Sequence, residues 1–385
     1  MNTFERLLSP YPVEQFLTQN WTRQAIHIPA EDRQKFQSLF SWKTLNHLLN
    51  FHRISYPALR FSQDGKSLPA ADRQEWRDRL QQGATLIIDR IHELVPEVAS
   101  LAASLHHEIG HRTQVNLYCS PAEQQGFDCH YDTHDVLILQ IDGEKEWFIF
   151  GATVPYPVAD IRSDDQLPPD EPAYLTGVLK PGDVLYIPRG HWHYAISCDR
   201  PSLHLTLGID CQTGLDWLDW VVGELHHQPE WRKSLPLVRN GNSQALQQQL
   251  LNLSNHLSQY LLQSELTQKN IEELAIREQT VAPFSLPFQL GFDIFEHGLE
   301  SRFSRSVEQP IQIDVLDNEQ YQITIGSKQI ILKNVPLELI ENMFNRDRFS
   351  ILEMADWAPD LDLEADVLPL LTQLVTTGVL FVEDS

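Results

Sequence analysis

From Thr113 to about Asp210 the chain repeats one pattern: a short apolar run, then a tight-turn signal. The runs are QVNLY, DVLILQI, EWFIF, YLTGVLK, DVLYIP and SLHLTLGI, and the breakers between them include DGEK, KPGD and PRG. Glycine, proline and aspartate at such positions end regular structure and reverse the chain. Many strands this short and this closely spaced bury their apolar side chains together only in a closed or double-sheet β architecture.

The flanks have a different rhythm. Residues 1–115 read as mixed. SPYPVEQFLTQNW has helical spacing at Val13, Phe16 and Leu17 with Ser9 placed to cap it, QAIHIPA and TLIID read as short strands, and VPEVASLAASLHHEIG reads as an amphipathic helix ending at Gly110;. Residues 212–280 turn helical. There Leu246, Leu250, Leu253, Leu257 and Tyr260 recur at spacings of four and three on a Gln/Asn-rich segment, an apolar stripe that packs within the chain or against the same helix of a second subunit;. From about Val307, IQIDVLDNEQYQITIGSKQIILKN reads as a hairpin with a further turn at IGSK. Helical stretches at PLELIENMF and DVLPLLTQLVTTG follow, and VLFVED closes the chain as a strand. Strand pairs with short helices suggest a winged helix. The expected class is α+β, with three parts: residues 1–210 carrying the β region and its N-terminal extension, residues 211–300 helical and dimer-forming, and residues 301–385 an acidic winged-helix domain.

Charge narrows the partners. The chain carries 53 acidic against 29 basic residues, a formal net charge of −24. A surface of that sign repels phosphate and suits a cationic partner, or serves solubility alone. Residues 308–385 hold four basic and fifteen acidic residues, so a winged helix there is a structural or protein-binding unit rather than a DNA reader;. No apolar run is long enough to cross a bilayer, and the N-terminal stretch has no secretion pattern;. The four cysteines form no C-x-x-C pair, which points to a reduced, cytoplasmic setting;.

The chemistry-bearing stretch is GFDCHYDTHDVLILQIDGEKEWFIF. His130 and Asp132 stand two apart, and on an extended chain both side chains project to one face;. Downstream, KPGDVLYIPRGHWHYA places His191 and His193 beyond a buried-looking strand. Two histidines and a carboxylate make the facial triad of non-haem Fe(II) oxygenases, which leaves open positions on the metal. Tetrahedral zinc sites more often draw on cysteine, and none here is suitably spaced. Lys145 follows the DGE turn, where an ordinary lysine is a solvated surface residue. Asn116 and Tyr118 share one face of a strand, as donors or as plain strand residues. His134 is either a group behind the metal or a loop histidine.

These two stretches, with PGDVLYIPRGHWHYA behind NLYCSPAEQQGFDCHYDTHDVLILQIDGEKEWFIFG, resemble the JmjC-type oxygenases of the ribosomal oxygenase group. The resemblance extends over most of the chain. It implies a double-stranded β-helix, the cupin jelly roll, and an Fe(II)- and 2-oxoglutarate-dependent dioxygenase that uses O2 to hydroxylate a ribosomal protein. Bacterial members act on an arginine and eukaryotic members on histidines. It implies His130, Asp132 and His193 as metal ligands and catalytic residues, the third closing the Pro188–Gly190–His193 stretch. It implies Lys145 as the 2-oxoglutarate anchor, with Asn116, Tyr118 and Thr206 lining the pocket. Bacterial arginine hydroxylases of the group can use arginine as the anchor, and lysine here stands closer to the eukaryotic pattern. The expected partner is a basic ribosomal protein, with a homodimer and no direct DNA or membrane contact. Two other functions fit the residues less fully: a JmjC oxygenase acting on another protein or a tRNA base, and a ligand-binding cupin with a regulatory winged helix.

Overall fold

The computed structural model describes residues 2–238, 241–277, 284–305, 311–317, 320–325 and 328–383. The chain divides into two compact units, Met1–Cys211 and Gln212–Ser385.

The first unit contains strands β1 (Ile26–Ile28), β2 (Leu59–Gln63), β3 (Lys66–Ser67), β4 (Thr85–Ile88), β5 (Arg112–Ser120), β6 (Asp135–Asp142), β7 (Lys145–Ala152), β8 (Leu175–Leu179), β9 (Val184–Ile187), β10 (His191–Ser197) and β11 (Ser202–Asp210). They form two antiparallel sheets. The larger has the order β1-β9-β6-β11-β5-β4-β2-β3, and the smaller β10-β7-β8. Helices α1 (Thr3–Leu8), α2 (Val13–Gln19), α3 (Trp42–Phe51), α4 (Trp76–Gln81) and α5 (Pro96–Ile109) accompany them.

Strand alternation sorts the side chains into two cores. On β6, Leu137, Leu139 and Ile141 join Leu203, Leu205, Leu207 and Ile209 of β11 and Val115 and Leu117 of β5 in a core with Phe4, Leu7, Phe16 and Leu48 from the helices. The alternate residues Val136 and Ile138 face the smaller sheet, where Trp147, Ile149, Leu179, Leu185, Ile187 and Ala195 fill a second core. The large sheet is therefore buried on both faces. That is why DVLILQI and DVLYIP read as continuous apolar runs and not as an alternation.

The expected strands of this unit all form, and β2, β3 and β10 are additional, the last hidden by the turn signal at PRG. Helix α5 ends as read, with Gly110 in the left-handed region at φ 68°;. Ser9 is a correction. It closes α1, its N–H donating to the Glu5 carbonyl, and Pro12 precedes α2 with no side-chain cap. The N-terminal residues form a separate short helix whose Asn2 supplies the capping oxygen, so Ser9 stands at the wrong end to cap α2;.

In the second unit, α6 (Gly214–Leu225), α7 (Gln244–Leu261) and α8 (Ser264–Arg277) enclose a small core of Trp220, Val221, Leu225 and Leu266. A capping box of Thr213 and Asp216 starts α6;. Of the α7 stripe, Leu257 and Tyr260 pack on this core, while no residue of α7 is fully buried and Leu250 is 45% exposed. Strands β12 (Arg302–Arg305), β13 (Ile311–Asp317), β14 (Gln320–Ile325), β15 (Lys328–Lys333), β16 (Arg348–Ser350) and β17 (Leu380–Val382) follow with helices α9 (Leu337–Asn345), α10 (Ile351–Trp357) and α11 (Leu368–Thr376). They form the sheets β13-β14-β15 and β16-β12-β17. The turn at IGSK falls partly on residues 326 and 327, outside the described residues. Ile294 is buried in the core of this module and Phe288 and Phe295 pack on it, so that core draws on residues before 301.

Leu137 is fully buried where sheet meets helices. Leu137→Ala is expected to cost the first unit about 3 kcal/mol through lost burial and a residual cavity. The measurement is the chemical-denaturation midpoint, and an unchanged midpoint contradicts this packing.

Candidate metal centre

The HYD segment is not part of a ladder strand, although an extended strand is what its spacing suggests. It lies in the stretch from Pro121 to His134 before β6, and β10 zips it into place. Glu123 N–H donates to the Ser197 carbonyl at 3.1 Å, and Gln125 bridges Ile196. His130 and His193 then exchange backbone hydrogen bonds, His130 N–H to His193 O at 3.1 Å and His193 N–H to His130 O at 2.7 Å. Gly190 N–H donates to the Asp132 carbonyl at 2.9 Å. Gly190 has φ +83°, and a Cβ there would stand 2.7 Å from Pro157 Cδ, so this turn requires glycine;.

These bonds bring His130, Asp132 and His193 together, with one ligand atom of each within 4.8 Å of the others. His193 Nε2 stands 3.7 Å from Asp132 Oδ2. The tautomers suit a metal. His130 Nδ1 lies 2.7 Å from the Asp128 carbonyl and His193 Nδ1 lies 3.0 Å from the His191 carbonyl. A carbonyl only accepts, so in each neutral ring Nδ1 carries the proton and Nε2 keeps its lone pair.

His191 is elsewhere. The register against β7 shifts between His191 and His193, and His191 hydrogen-bonds the Tyr174 hydroxyl at 2.8 Å. The shift breaks the two-residue alternation that would have put both histidines on one face. His134 packs against Gly208, where a Cβ would meet its ring at 2.7 Å.

The cluster opens into a cavity of about 230 Å³ between the two sheets. Tyr118, Ile138, His204 and Thr206 line it from the large sheet, and Lys145, Trp147 and Ala195 from the small one. Lys145 is 4% exposed and its Nζ donates to Ser120 Oγ at 3.0 Å, which also accepts from Thr85 Oγ1 at 3.0 Å. No carboxylate pairs with it among the described residues. The other cation in the wall, Arg60, is held by Asp89 through bonds of 2.7 and 2.9 Å. Asn116 shares the Tyr118 face and pairs with Thr206 in register, but it does not line the cavity, and its Oδ1 accepts from Arg90 N–H at 2.9 Å. Ser120, Thr85, Trp147 and His204 escaped the sequence reading. Only the alternation that places Ser120 with Tyr118, and His204 with Thr206, hints at them.

The electrostatics follow from burial. Desolvation pushes Lys145 down to about 8, with only Cys119 opposing it, and pushes His193 down to about 4, with His130 adding to the effect. Burial raises the Asp132 carboxyl, but His134, His193 and His130 together hold it below the usual carboxylate range. A neutral His193 and an ionised Asp132 therefore stand beside His130, a donor set that fits a divalent cation with open positions;.

Comparison with known proteins bears on the domain and the fold. Residues 92–216 match the JmjC domain model, and that span includes β5 to β11 and all three clustered residues. The chain is 31% identical to ribosomal oxygenase 1 of Bos taurus over 255 residues, covering 60% of this chain and 38% of that one. It is 32% identical to ribosomal oxygenase 2 of Mus musculus over 237 residues, covering 58% and 50%. The chain thus spans half or less of the length of these curated relatives. Among solved structures, YcfD, a ribosomal oxygenase from Escherichia coli in complex with cobalt and 2-oxoglutarate, shares the fold. Its TM-score is 0.60 at 16% identity, over 97% of this chain and 99% of that one. The fold and the clustered site define a JmjC-domain protein of cupin-like architecture. Within that class, the relatives the chain resembles are ribosomal oxygenases.

His193 is neutral in the fold and titrates near its ordinary value of 6.5 once unfolded. Its contribution to stability is complete above pH 6.5 and is lost as pH falls towards 4, a loss of about 3 kcal/mol. The buried His204 acts in the same direction. Urea midpoints of metal-free protein are expected to fall between pH 7 and 4.5, with a shallower fall in His193→Asn. An equal slope in that variant removes His193 as the cause.

Proposed function

We propose that this chain is an Fe(II)- and 2-oxoglutarate-dependent dioxygenase that hydroxylates an arginine or histidine side chain of a basic ribosomal protein. The observation that carries it is one cavity with a His–Asp–His cluster and a buried lysine that no carboxylate neutralises. A buried ammonium without a counter-charge is costly, and an anionic ligand offsets that cost. The names of the relatives supply the substrate class, and the net charge of −24 suits a cationic protein;.

On this reading His130, Asp132 and His193 hold the iron. When bound, iron with 2-oxoglutarate and O2 supplies the oxidising chemistry that places a hydroxyl on a substrate carbon. The chain's own residues prepare the site. His130 and His193 present Nε2 because backbone carbonyls hold their Nδ1 protons. Asp132 stays ionised among its histidines. Lys145 takes the far carboxylate of the co-substrate, with Ser120 fixing its direction. Tyr118 is pushed up to about 12 by burial against the opposing Arg60 charge, so it remains a neutral hydroxyl in the wall beside Thr206. Ile138, Trp147 and Ala195 keep bulk water from the reacting face;. Asn116 acts through the Arg90 loop rather than on the co-substrate.

The same reading extends to the rest of the chain. Residues 211–300 form a dimerisation segment, supported by an α7 stripe whose Leu246, Leu250 and Leu253 remain partly or largely exposed. Residues 301–385 form a winged helix that binds protein or serves the architecture, supported by three short helices beside small antiparallel sheets and fifteen acidic residues from 308 onward. The cell compartment is the cytoplasm, in line with four free cysteines, and no described helix is long and apolar enough to cross a membrane.

Incubation of ribosomal proteins with the purified chain, Fe(II), 2-oxoglutarate and O2 is expected to add the mass of one oxygen to one protein, seen by intact-mass spectrometry. His130→Ala, Asp132→Ala and His193→Ala are each expected to lower succinate formation at least about 100-fold while keeping the fold. Full turnover in any of them removes that residue from the metal set. Succinate without a mass gain would place the substrate outside the ribosome. Leu250→Asp with Leu253→Asp is expected to convert a dimer to a monomer in light scattering, and an unchanged mass would exclude the α7 interface.

A further inference from the structure

Asp135 is fully buried at the first position of β6, three residues beyond Asp132. Its carboxylate is held from two sides. One oxygen accepts from the Tyr186 hydroxyl, and the other accepts from Arg189 N–H at 3.0 Å. Tyr186, on β9, is itself fixed. Its oxygen accepts from Thr22 N–H at 2.8 Å, and its ring meets Phe16 edge-on at 4.8 Å and stacks on Trp21 at 5.8 Å. The amide after Arg189 is that of Gly190, which donates to the Asp132 carbonyl at 2.9 Å. Two consecutive amides at the entry to β10 are therefore gripped by two acceptors, the Asp135 side chain and the Asp132 main chain.

Asp132 depends on that grip more than its neighbours do. Backbone carbonyls orient the His130 and His193 rings. The Asp132 carboxylate accepts no hydrogen bond among the described residues, and His193 Nε2 stands beyond hydrogen-bond reach at 3.7 Å;. A carboxylate with no donor of its own takes its direction from the main chain that carries it. Where Asp132 points therefore follows from where the Gly190 turn holds its carbonyl. Packing does not account for an acid at position 135. Burial costs that carboxylate enough to raise its pKa despite both hydrogen bonds, and an apolar side chain of similar size would fill the space at less cost;. What the acid adds is an acceptor aimed at the turn.

We propose that Asp135 is a positioning residue for the metal centre: by holding the Arg189 amide it seats the Gly190 turn on the Asp132 carbonyl, and so sets the separation of the Asp132 and His193 ligand atoms. The inference rests on the His130–Asp132–His193 cluster being the metal site. Asp135 is not one of the clustered ligands and acts only through the turn. The relay from Thr22 through Tyr186 makes the N-terminal extension part of this support, although Thr22 lies well ahead of the span that matches the JmjC domain.

The test is calorimetric titration of the full chain with Mn(II), with the visible absorption of bound Co(II) as the report on ligand geometry. Asp135→Ala is expected to weaken Mn(II) about tenfold and to shift the Co(II) bands. Asp135→Asn keeps an oxygen that can accept from Arg189 N–H and is expected to recover most of the affinity. Asp183→Asn is the control, since Asp183 is a second buried carboxylate that accepts from backbone N–H groups, those of Ala30 and Lys180, and it lies outside the cluster. That variant is expected to lower the denaturation midpoint and leave Mn(II) affinity unchanged, which separates positioning from general stability. Circular dichroism checks that each variant is folded. If Asp135→Ala does not fold, Tyr186→Phe decides, because it deletes only the hydroxyl; Mn(II) about threefold weaker, with shifted Co(II) bands, is expected. A folded Asp135→Ala within about twofold of wild type and with unshifted bands, or in its place a Tyr186→Phe that matches wild type in both, would overturn the inference and leave the metal reading standing. A wild-type chain that binds no Mn(II) would overturn both.

Discussion

The reciprocal backbone hydrogen bonds between His130 and His193 are the constraint on which the site depends. They join a segment without regular structure to β10, and in doing so fix the distance between two imidazoles before any ligand arrives. The Gly190–Asp132 bond sets the third group by the same means. Side chains carried by two parts of the sequence thus converge because the main chain is paired, and the carbonyls of Asp128 and His191 then orient the two rings. The geometry is built into the peptide backbone, which is stiffer than any side-chain network.

Around that pairing, the two cores do different work. The helix-side core of the large sheet is wholly apolar along β11, with Leu203, Leu205, Leu207 and Ile209 all buried. The opposite face of the same strand carries His204 and Thr206 into the cavity. One strand therefore supplies both anchorage and chemistry, divided by the two-residue period. The apolar half makes the position of the polar half definite, because a one-residue slip of register would exchange them.

The β region was legible because its turn signals are strong and its strands short. The triad residues and Lys145 could be named because spacing and a family likeness pointed to them. Less was readable where local pattern and tertiary pairing disagree. Ser9 has the composition of a helix cap but stands at the end of an earlier helix. The stretch from Pro121 to Asp132 has the composition of a loop yet runs along β10 as if it were a strand. Nothing in HWH tells which histidine faces inward, because the register shift that decides it comes from pairing with β7. His204 and Trp147 were hidden among strand residues, since the cavity they line exists only once both sheets are placed.

Lys145 has a consequence beyond chemistry. A buried ammonium with a hydroxyl partner and no paired carboxylate is a standing charge on the folded state whenever the cavity holds no anion. Any small dianion that enters returns that free energy as resistance to unfolding, in proportion to the logarithm of its concentration. On the proposed reading, the folded population of the first unit therefore rises with the concentration of the dianion that fits the cavity.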